Sequence, residues 1–461
     1  METARPPGRI VTFYSYKGGT GRSMALANVA WVLASQGKRV LVVDWDLEAP
    51  GLHRYFQPFL VDRDLTASDG VIDFVIDYAL ETVSQAPGGG EVPPDWYRRH
   101  ADIVRYAASL EWEDWEFPRG GTIDFVGAGR QGPSYSHRVN TFDWSGFYDR
   151  QGGGAFLEAV RERMRAEYDY VLIDSRTGVS DTSGICTVQL PDDLVLCFTL
   201  NNQSIEGAAA VVAAVQAQRS DGIRIFPVPM RVELAEKDKL EARRAHARIR
   251  LGMLPGHLDP ARLDAYWSAA EVLYVPYYAY EEVLAPFGDR VGTLTSLLGS
   301  MERLTAGLTD GEVERSEPVP ETMRQEVLAA YARRGGGMPE DEPSRAAETA
   351  WLRLSPEAQE TARRAFTRMV RLARPDEGGA ASPARLPLSD VPGARLAVAP
   401  FVTLGLVAIE LDPAMSEEVV YWAAPQVIER WPRLRGWIEE ERPFLLWRQK
   451  LRADLADWEG N

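Results

Sequence analysis

The sequence has few residues of the kinds that crosslink small folds or hold transition metals. It contains 2 cysteines and 5 histidines among 461 residues. Cys186 and Cys197 do not form a C-x-x-C pair, and the histidines lack metal-ligand spacing. This scarcity argues against a disulfide scaffold, a structural zinc site and a transition-metal centre. We expect two buried thiols in a reducing compartment.

Long apolar runs and an excess of basic charge are also absent. The longest uncharged run, Leu396–Ile409, is interrupted by Pro400 and falls short of the about 20 apolar residues that a spanning helix needs. The N-terminal residues lack the apolar core of a signal peptide. The 67 acidic and 51 basic side chains give a formal net charge of −16, which argues against a dedicated nucleic-acid binder. We therefore expect a cytoplasmic protein that does not enter the membrane.

Apolar runs of strand length alternate with helical patterns over most of the chain. Residues 9–15 are typical of a strand, 23–38 of a helix and 39–44 of a second, buried strand, which together form a βαβ unit. Further runs typical of strands lie at 122–129, 168–175, 193–200, 223–230 and 272–278. This alternation predicts an α/β fold, with a doubly wound, mostly parallel sheet covered by helices on both faces.

Composition divides the chain into two domains and a linker. We assign 1–310 to the α/β domain and 83–121 to an irregular insertion within it, whose tryptophans we expect to serve in packing. Residues 311–350 are acidic and rich in proline and glycine, as linkers are. Residues 351–461 are mostly helical.

The last part of the sequence predicts a small winged-helix-type domain. Helices are predicted at 355–373, 393–405 and 424–458. Two short apolar runs between the last two helices, LVAIEL and EEVVYWA, predict a β-hairpin. Three helices and a hairpin are typical of the winged-helix arrangement.

A glycine-rich turn, YKGGTGRS at residues 16–23, joins the first strand to the first helix. Gly18, Gly19 and Gly21 let the backbone curl, so that several N–H groups and the positive end of the helix point at one anion. Ser23 lies at the start of the helix, where its hydroxyl can bind magnesium. The turn therefore predicts a phosphate-binding loop.

Acidic residues follow two of the predicted strands. VLVVDWD ends with Asp44 and Asp46, and YVLIDSRTG has Asp174 at the strand end, with Gly178 four residues later. Ligands of parallel α/β sheets collect at the carboxyl ends of the strands. A carboxylate there suits magnesium, and the D-x-x-x-G spacing suits a loop that senses the γ-phosphate.

Together, YKGGTGRS, VDWDLEAPGL and VLIDSRTG resemble the ParA/MinD family of ATPases, whose deviant phosphate loop (Walker A) reads K-G-G-x-G-K-[ST]. The resemblance covers about residues 9–305. It implies a P-loop NTPase domain, ATP and Mg²⁺ as cofactors, and a homodimer that ATP assembles.

The resemblance also implies roles for individual residues. Lys17 would reach across to the partner's phosphates and Asp46 would position the attacking water, so these two are the expected catalytic residues. The expected cofactor-binding residues are Lys17, Gly18, Gly19, Thr20, Gly21, Arg22, Ser23 and Met24. The expected magnesium ligands are Ser23, Asp46 and Asp174.

Arg22 departs from the family pattern, which has lysine at this position. Arginine keeps the positive charge and adds a planar fork of donors, but it is bulkier than lysine. We therefore expect nucleotide binding to persist and the hydrolysis rate to differ. The family's base-side asparagine has no clear match in FPVPMRVE, so the preference for adenine follows from the resemblance alone.

The C-terminal segment APQVIERWPRLRGW resembles the winged-helix region of STAND signalling ATPases. In those proteins a histidine in this segment can sense the bound diphosphate. Ala424 stands at that position here. The resemblance therefore implies a scaffold or relay rather than direct phosphate sensing.

These observations predict an ATP-binding, slowly hydrolysing switch that dimerises on ATP. It would relay its nucleotide state to a separate effector protein in a prokaryotic signalling or antiphage conflict system. Two alternatives stay open: a DNA partition or positioning ATPase, and a catalytically weak scaffold, which Arg22 favours. A tyrosine kinase is disfavoured because the tail lacks a tyrosine cluster.

Overall fold

The chain forms two compact units, Met1–Ala332 and Arg333–Asn461. The computed structural model describes residues 6–85, 95–113, 115–178, 184–219, 222–233, 237–334, 342–352, 354–372, 382–412, 417–423 and 426–459. None of the helices in these ranges combines the length and apolar character that crossing a membrane requires.

A seven-stranded sheet forms the centre of the first unit. Its strands are β1 Arg9–Tyr14, β2 Arg39–Trp45, β3 Ala108–Ser109, β4 Thr122–Val126, β5 Tyr170–Ser175, β6 Asp193–Thr199 and β7 Arg224–Met230. The order is β3-β4-β2-β5-β1-β6-β7, and every pair is parallel except β3 with β4. The mostly parallel sheet is thereby confirmed.

Helices cover both faces of this sheet. They are α1 Arg22–Ser35, α2 His53–Phe56, α3 Val71–Gln85, α4 Tyr135–Thr141, α5 Trp144–Gln151, α6 Gly153–Glu167, α7 Asn202–Gln218, α8 Lys237–Leu251, α9 Pro260–Ala269, α10 Pro276–Tyr280, α11 Ala285–Gly288, α12 Leu297–Leu308 and α13 Glu321–Arg334. Val40 and Val42 of β2 lie in one core with α1, α7 and α12, whereas Leu41 and Val43 lie in the other with α3 and α6. Alternate residues of one strand thus enter opposite cores, as a doubly wound sheet requires.

One predicted strand is wrong. Residues 272–278 contain Pro276, which begins α10, and Leu273 makes an isolated bridge with Val232. Proline fixes φ and has no N–H to donate, so it favours the first turn of a helix over a strand interior. Pro227 and Pro229 are tolerated in β7 because that strand lies at the edge of the sheet.

The described part of the insertion, 95–113 and 115–121, packs on the two main cores. Trp96 stacks on Tyr78 with ring centroids 5.5 Å apart, and Trp115 stacks on Trp31 at 5.7 Å. Short 3₁₀ turns at 96–100, 103–106 and 118–120 connect these contacts. The two cysteines are buried and unbonded, as expected.

Helix α13 falls within the residues that composition assigned to a linker. Met323, Val327 and Tyr331 on this helix are buried in the core of the first unit. Their spacing of four residues places them on one helix face. The first compact unit therefore extends beyond residue 310.

The second unit combines helices with a small antiparallel sheet. Its helices are α14 Glu342–Leu352, α15 Pro356–Arg368, α16 Ala394–Thr403, α17 Gln426–Arg430 and α18 Pro432–Glu459. Its strands are β8 Val370–Arg371, β9 Ser382–Pro383, β10 Leu386–Pro387, β11 Val407–Asp412 and β12 Glu417–Trp422. The predicted hairpin is β11 with β12, and Phe366, Phe401, Trp422 and Trp431 pack together in the core. Ala424 lies outside the described residues.

Candidate nucleotide-binding site

The glycine-rich loop lies at the carboxyl edge of the sheet, between β1, which ends at Tyr14, and α1, which begins at Arg22. Gly19 and Gly21 have φ angles of +72° and +91°, where a side chain would be strained. A Cβ atom at Gly18 or Gly19 would meet no atom of the described residues within 4 Å. The backbone at these two glycines is therefore open to a ligand, near the N-terminus of α1.

Three carboxylates reach this same edge of the sheet. β2 and β5 pair in parallel with Asp44 opposite Asp174, and Asp46 lies one residue beyond the end of β2. All three side chains are buried. Asp44 accepts backbone hydrogen bonds from Asp46 at 3.2 Å and Leu52 at 3.3 Å. These bonds fix the turn that carries Asp46.

Arg22 connects the carboxylates to the loop. Its Nη2 donates to Asp46 Oδ2 over 2.7 Å, its Nε donates to Asp174 Oδ1, and Ser23 Oγ donates to Asp174 Oδ2. The third guanidinium nitrogen, Nη1, is buried and has no hydrogen-bond partner among the residues that the structure describes. Leaving a buried donor unpaired costs about 1–3 kcal/mol, so this atom marks a place for a ligand oxygen.

Lys17 is part of the loop, and its side chain reaches helix α7. Its Nζ donates to Gln203 Oε1 at the start of that helix. The neighbouring Tyr16 ring covers Gly207, one turn further along. Of the other predicted loop residues, Thr20 is buried and Met24 packs against the core.

Arg231 is a further residue at this loop whose position the sequence did not indicate. Its Nη1 donates to the carbonyl of Gly19 over 2.9 Å, and its guanidinium lies 4.8 Å from the ring centroid of Tyr274. The backbone of Arg231 has a φ of +55°, directly after β7. Gln203 follows β6, which neighbours β1, and Arg231 follows β7, the next strand on the same side. Strand order would therefore have been the signal that places them here.

The comparisons with known proteins agree with this geometry. The model of the CobQ/CobB/MinD/ParA nucleotide binding domain matches residues 11–305. The chain belongs to this family. The Novel STAND NTPase 1 model matches residues 321–461, so both resemblances found in the sequence are confirmed. No curated protein gave a match.

Solved structures similar to this MinD/ParA-family chain include apo McdA of Cyanothece and the cell division ATPase MinD of Pyrococcus furiosus. The McdA structure is 16% identical, covers 65% of this chain and 99% of its own, and has a TM-score of 0.42. The MinD structure is 14% identical, covers 66% of this chain and 99% of its own, and has a TM-score of 0.40.

Burial and mutual repulsion shape the electrostatics of this MinD/ParA-type site. Burial raises the pKa of Asp44 well above its ordinary value, and the charges of Asp174 and Asp46 raise it further. Burial also raises the pKa of Asp174, against the opposing effects of Arg22 and Ser23. Burial acts to lower the pKa of Arg22, but Asp174 and Asp46 outweigh it and raise that pKa. Arg22 therefore stays charged among acidic groups that it only partly neutralises.

The site offers the oxygen ligands that magnesium prefers. The hydroxyl of Ser23 and the carboxylate of Asp174 are adjacent, and Asp46 lies across the Arg22 guanidinium. In the described ranges, no three His, Cys, Asp or Glu residues are grouped to hold a metal by themselves. Magnesium commonly takes one or two carboxylates and completes its shell with water and substrate phosphates. Ser23 and Asp174 fit that kind of site.

The start of the loop after β5 is tied to Tyr14, the last residue of β1. Tyr14 Oη donates to the carbonyl of Gly178 over 3.0 Å, and Arg176 forms an ion pair with Glu48. Gly178 has a φ of +80°, which explains the glycine in the D-x-x-x-G spacing. Residues 179–183 lie outside the described part of the chain.

Proposed function

We propose that the chain is an ATP-binding, slowly hydrolysing switch. The main observation behind this proposal is a buried guanidinium nitrogen of Arg22, which has no partner within the described ranges and belongs to the residue that ends an open glycine loop. Phosphate oxygens would satisfy that nitrogen together with the loop N–H groups. The match to a nucleotide binding domain supports the same assignment.

The residues of the site have separate roles in this proposal. The backbone of Gly18, Gly19 and Gly21 and the side chain of Arg22 bind phosphates. Ser23 and Asp174 hold Mg²⁺, which when bound neutralises charge developing on the phosphates. Asp46 orients the attacking water. Arg22 would bind the phosphates while it also bonds Asp46. These two contacts compete for the same guanidinium, so we expect hydrolysis to be slow.

Dimerisation and relay complete the proposed cycle. Lys17 is half-buried at the edge of the loop, and release from Gln203 would let it reach the nucleotide of a second copy. The unit Arg333–Asn461 would pass the nucleotide state to a separate effector protein in the cytoplasm. The match to a STAND NTPase model supports a prokaryotic signalling role, for which antiphage defence is our specific proposal.

Magnesium–ATP binding measured by calorimetry tests the assignment. Ser23→Ala removes one magnesium ligand and should weaken Mg–ATP binding by roughly ten- to a hundredfold, as loss of a bond to a charged partner does. Ser35→Ala is the matched control, since Ser35 is a buried serine at the far end of the same helix and bonds the Val32 carbonyl. Equal binding by Ser23→Ala and the wild type would contradict the site.

Asp46→Asn separates binding from hydrolysis. The variant should bind ATP and lose turnover by roughly 10²- to 10⁴-fold, the typical contribution of a positioned acid or base. Phosphate release under saturating ATP measures this loss. Undiminished turnover would remove Asp46 from the mechanism.

A further inference from the structure

The guanidinium of Arg22 bonds both the carboxylate proposed to hold the metal, Asp174, and the carboxylate proposed to orient the water, Asp46. Its Nε bonds Asp174 Oδ1 and its Nη2 bonds Asp46 Oδ2, and the side chain is only 6% exposed. The other oxygen of Asp174 is taken by Ser23 Oγ, and Asp46 Oδ1 accepts from the backbone N–H of Ala49 at 3.4 Å. All four carboxylate oxygens therefore have a protein donor.

The shape of arginine allows this double contact. Its nitrogens are spread over a rigid plane, so one side chain can bond two separate carboxylates and still leave Nη1 unbonded to any residue in the described part of the chain. The compact ammonium of lysine is a point charge that cannot reproduce that spread. The arginine thus gives the loop a cation of its own, set between the acidic groups.

We propose that Arg22 is an internal counter-ion that stands in for Mg²⁺ in the nucleotide-free chain and keeps the metal from binding alone. The proposal rests on the proposed ATP-binding function of the same site. A lone metal ion would have to displace the guanidinium from Asp174, placing a second positive charge beside a buried guanidinium that has lost one of its two partners, at high cost. Phosphates remove the cost of an unpaired guanidinium, because their oxygens bond Arg22 when it leaves its carboxylate.

Binding of the metal and of the nucleotide is therefore strongly coupled. Arg22 would turn from Asp174 to the phosphates, which would leave Asp174 and Ser23 able to hold Mg²⁺. Each ligand raises the affinity of the other, as linkage requires. The coupling belongs to Arg22, so removing its charge should uncouple the two events.

Metal binding in the absence of nucleotide tests this proposal. Mn²⁺ binding is followed by electron paramagnetic resonance, with Mg²⁺ as competitor, on the wild type, Arg22→Gln and Arg22→Lys. Arg22→Gln should bind Mn²⁺ at least about tenfold more tightly than the wild type, because its carboxylates have lost their counter-ion. Arg22→Lys should lie between them. Equal affinity of all three proteins would overturn the proposal.

Thermal unfolding gives a second readout. Arg22→Gln leaves buried carboxylates uncompensated, so it should melt below the wild type in buffer without metal, and Mg²⁺ should restore it more than it stabilises the wild type. Val32→Ala, a core truncation on the same helix, should lower the melting temperature without any special response to Mg²⁺. If Mg²⁺ raised the melting temperatures of Arg22→Gln and Val32→Ala by the same amount, the counter-ion role of Arg22 would be contradicted.

The test of the counter-ion proposal can be distinguished from the test of ATP binding. Wild-type ATP affinity is measured independently by calorimetry. Absent ATP binding with a gain of Mn²⁺ affinity in Arg22→Gln would sink the ATP switch and support the counter-ion. Normal ATP binding by the wild type, with no gain of Mn²⁺ affinity in Arg22→Gln, would support the ATP switch and overturn the counter-ion proposal.

Discussion

Gly207→Ala is expected to disturb the lysine that we propose acts across the dimer. Gly207 lies on α7 under the ring of Tyr16, four residues after Gln203, which holds Lys17. A Cβ at this glycine would lie 2.2 Å from Tyr16 Cδ1, 2.5 Å from Cγ and 2.6 Å from Cε1. Carbon atoms in ordinary contact are about 3.5–4.0 Å apart, so the ring must move by more than about 1 Å.

The free-energy cost of Gly207→Ala indicates that the variant displaces the loop but does not unfold the protein. Overpacking costs about 1–3 kcal/mol, while alanine in place of an interior helix glycine stabilises by about 0.5–1 kcal/mol. The net loss of roughly 0–2.5 kcal/mol is below the about 5–15 kcal/mol that stabilises a typical fold. Misplacing a catalytic group by about 1 Å can cost about a hundredfold in rate. We therefore expect turnover to fall by roughly ten- to a hundredfold.

Phosphate release and the fraction of dimer in ATP, measured on the same samples, are the assays. Gly436→Ala is the control, because a Cβ there would meet no atom within 4 Å in the described ranges and the glycine also lies inside a helix. The control should keep wild-type turnover. A folded Gly207→Ala variant with wild-type turnover and dimer fraction would refute the link between Tyr16 and Lys17.

Two further predictions concern the same edge of the sheet. Because the pKa of Asp44 is raised in the folded state, the folded protein keeps a proton that the unfolded chain releases above about pH 4. Without nucleotide, the free energy of unfolding should therefore fall as the pH rises above that value. Urea titrations at several pH values should show this fall, and Asp44→Asn should reduce it. An unchanged slope would exclude Asp44 as its source. Arg231→Ala removes the bond to Gly19 and should weaken ATP binding by up to roughly tenfold in calorimetry, the worth of about one hydrogen bond. Equal affinity would show that Arg231 does not shape the loop.

The sheet and its ligand edge were predictable because their signals are local. Each of β1, β2 and β5 is an apolar run, and a glycine-rich turn after β1 and an aspartate at the end of β2 and of β5 mark where the apolar run stops. The strand predicted at 272–278 was wrong because apolar composition does not show whether a segment pairs with another strand. Pro276 in this segment favours the start of a helix. Helix α13 was hidden by polar composition, although Met323, Val327 and Tyr331 carry a helical spacing.

The contacts of the site were less predictable than its members. The sequence identified Arg22, Asp46 and Asp174 but not that one guanidinium bonds both carboxylates, since this depends on side-chain reach across three separate segments. Gln203 and Arg231 come from much later in the chain and reach the loop only through the order of the strands. Long-range topology therefore accounts for what the sequence pattern left out.

The oligomeric state in each nucleotide tests the account most directly. Solution mass should be measured for the wild type and Lys17→Ala with ADP, with ATP and with a slowly hydrolysed ATP analogue. We predict that the wild type is a monomer in ADP and a dimer in the analogue, and that Lys17→Ala binds the analogue but stays monomeric. A wild type that remains monomeric in every nucleotide, or a Lys17→Ala variant that dimerises as readily, would contradict the account.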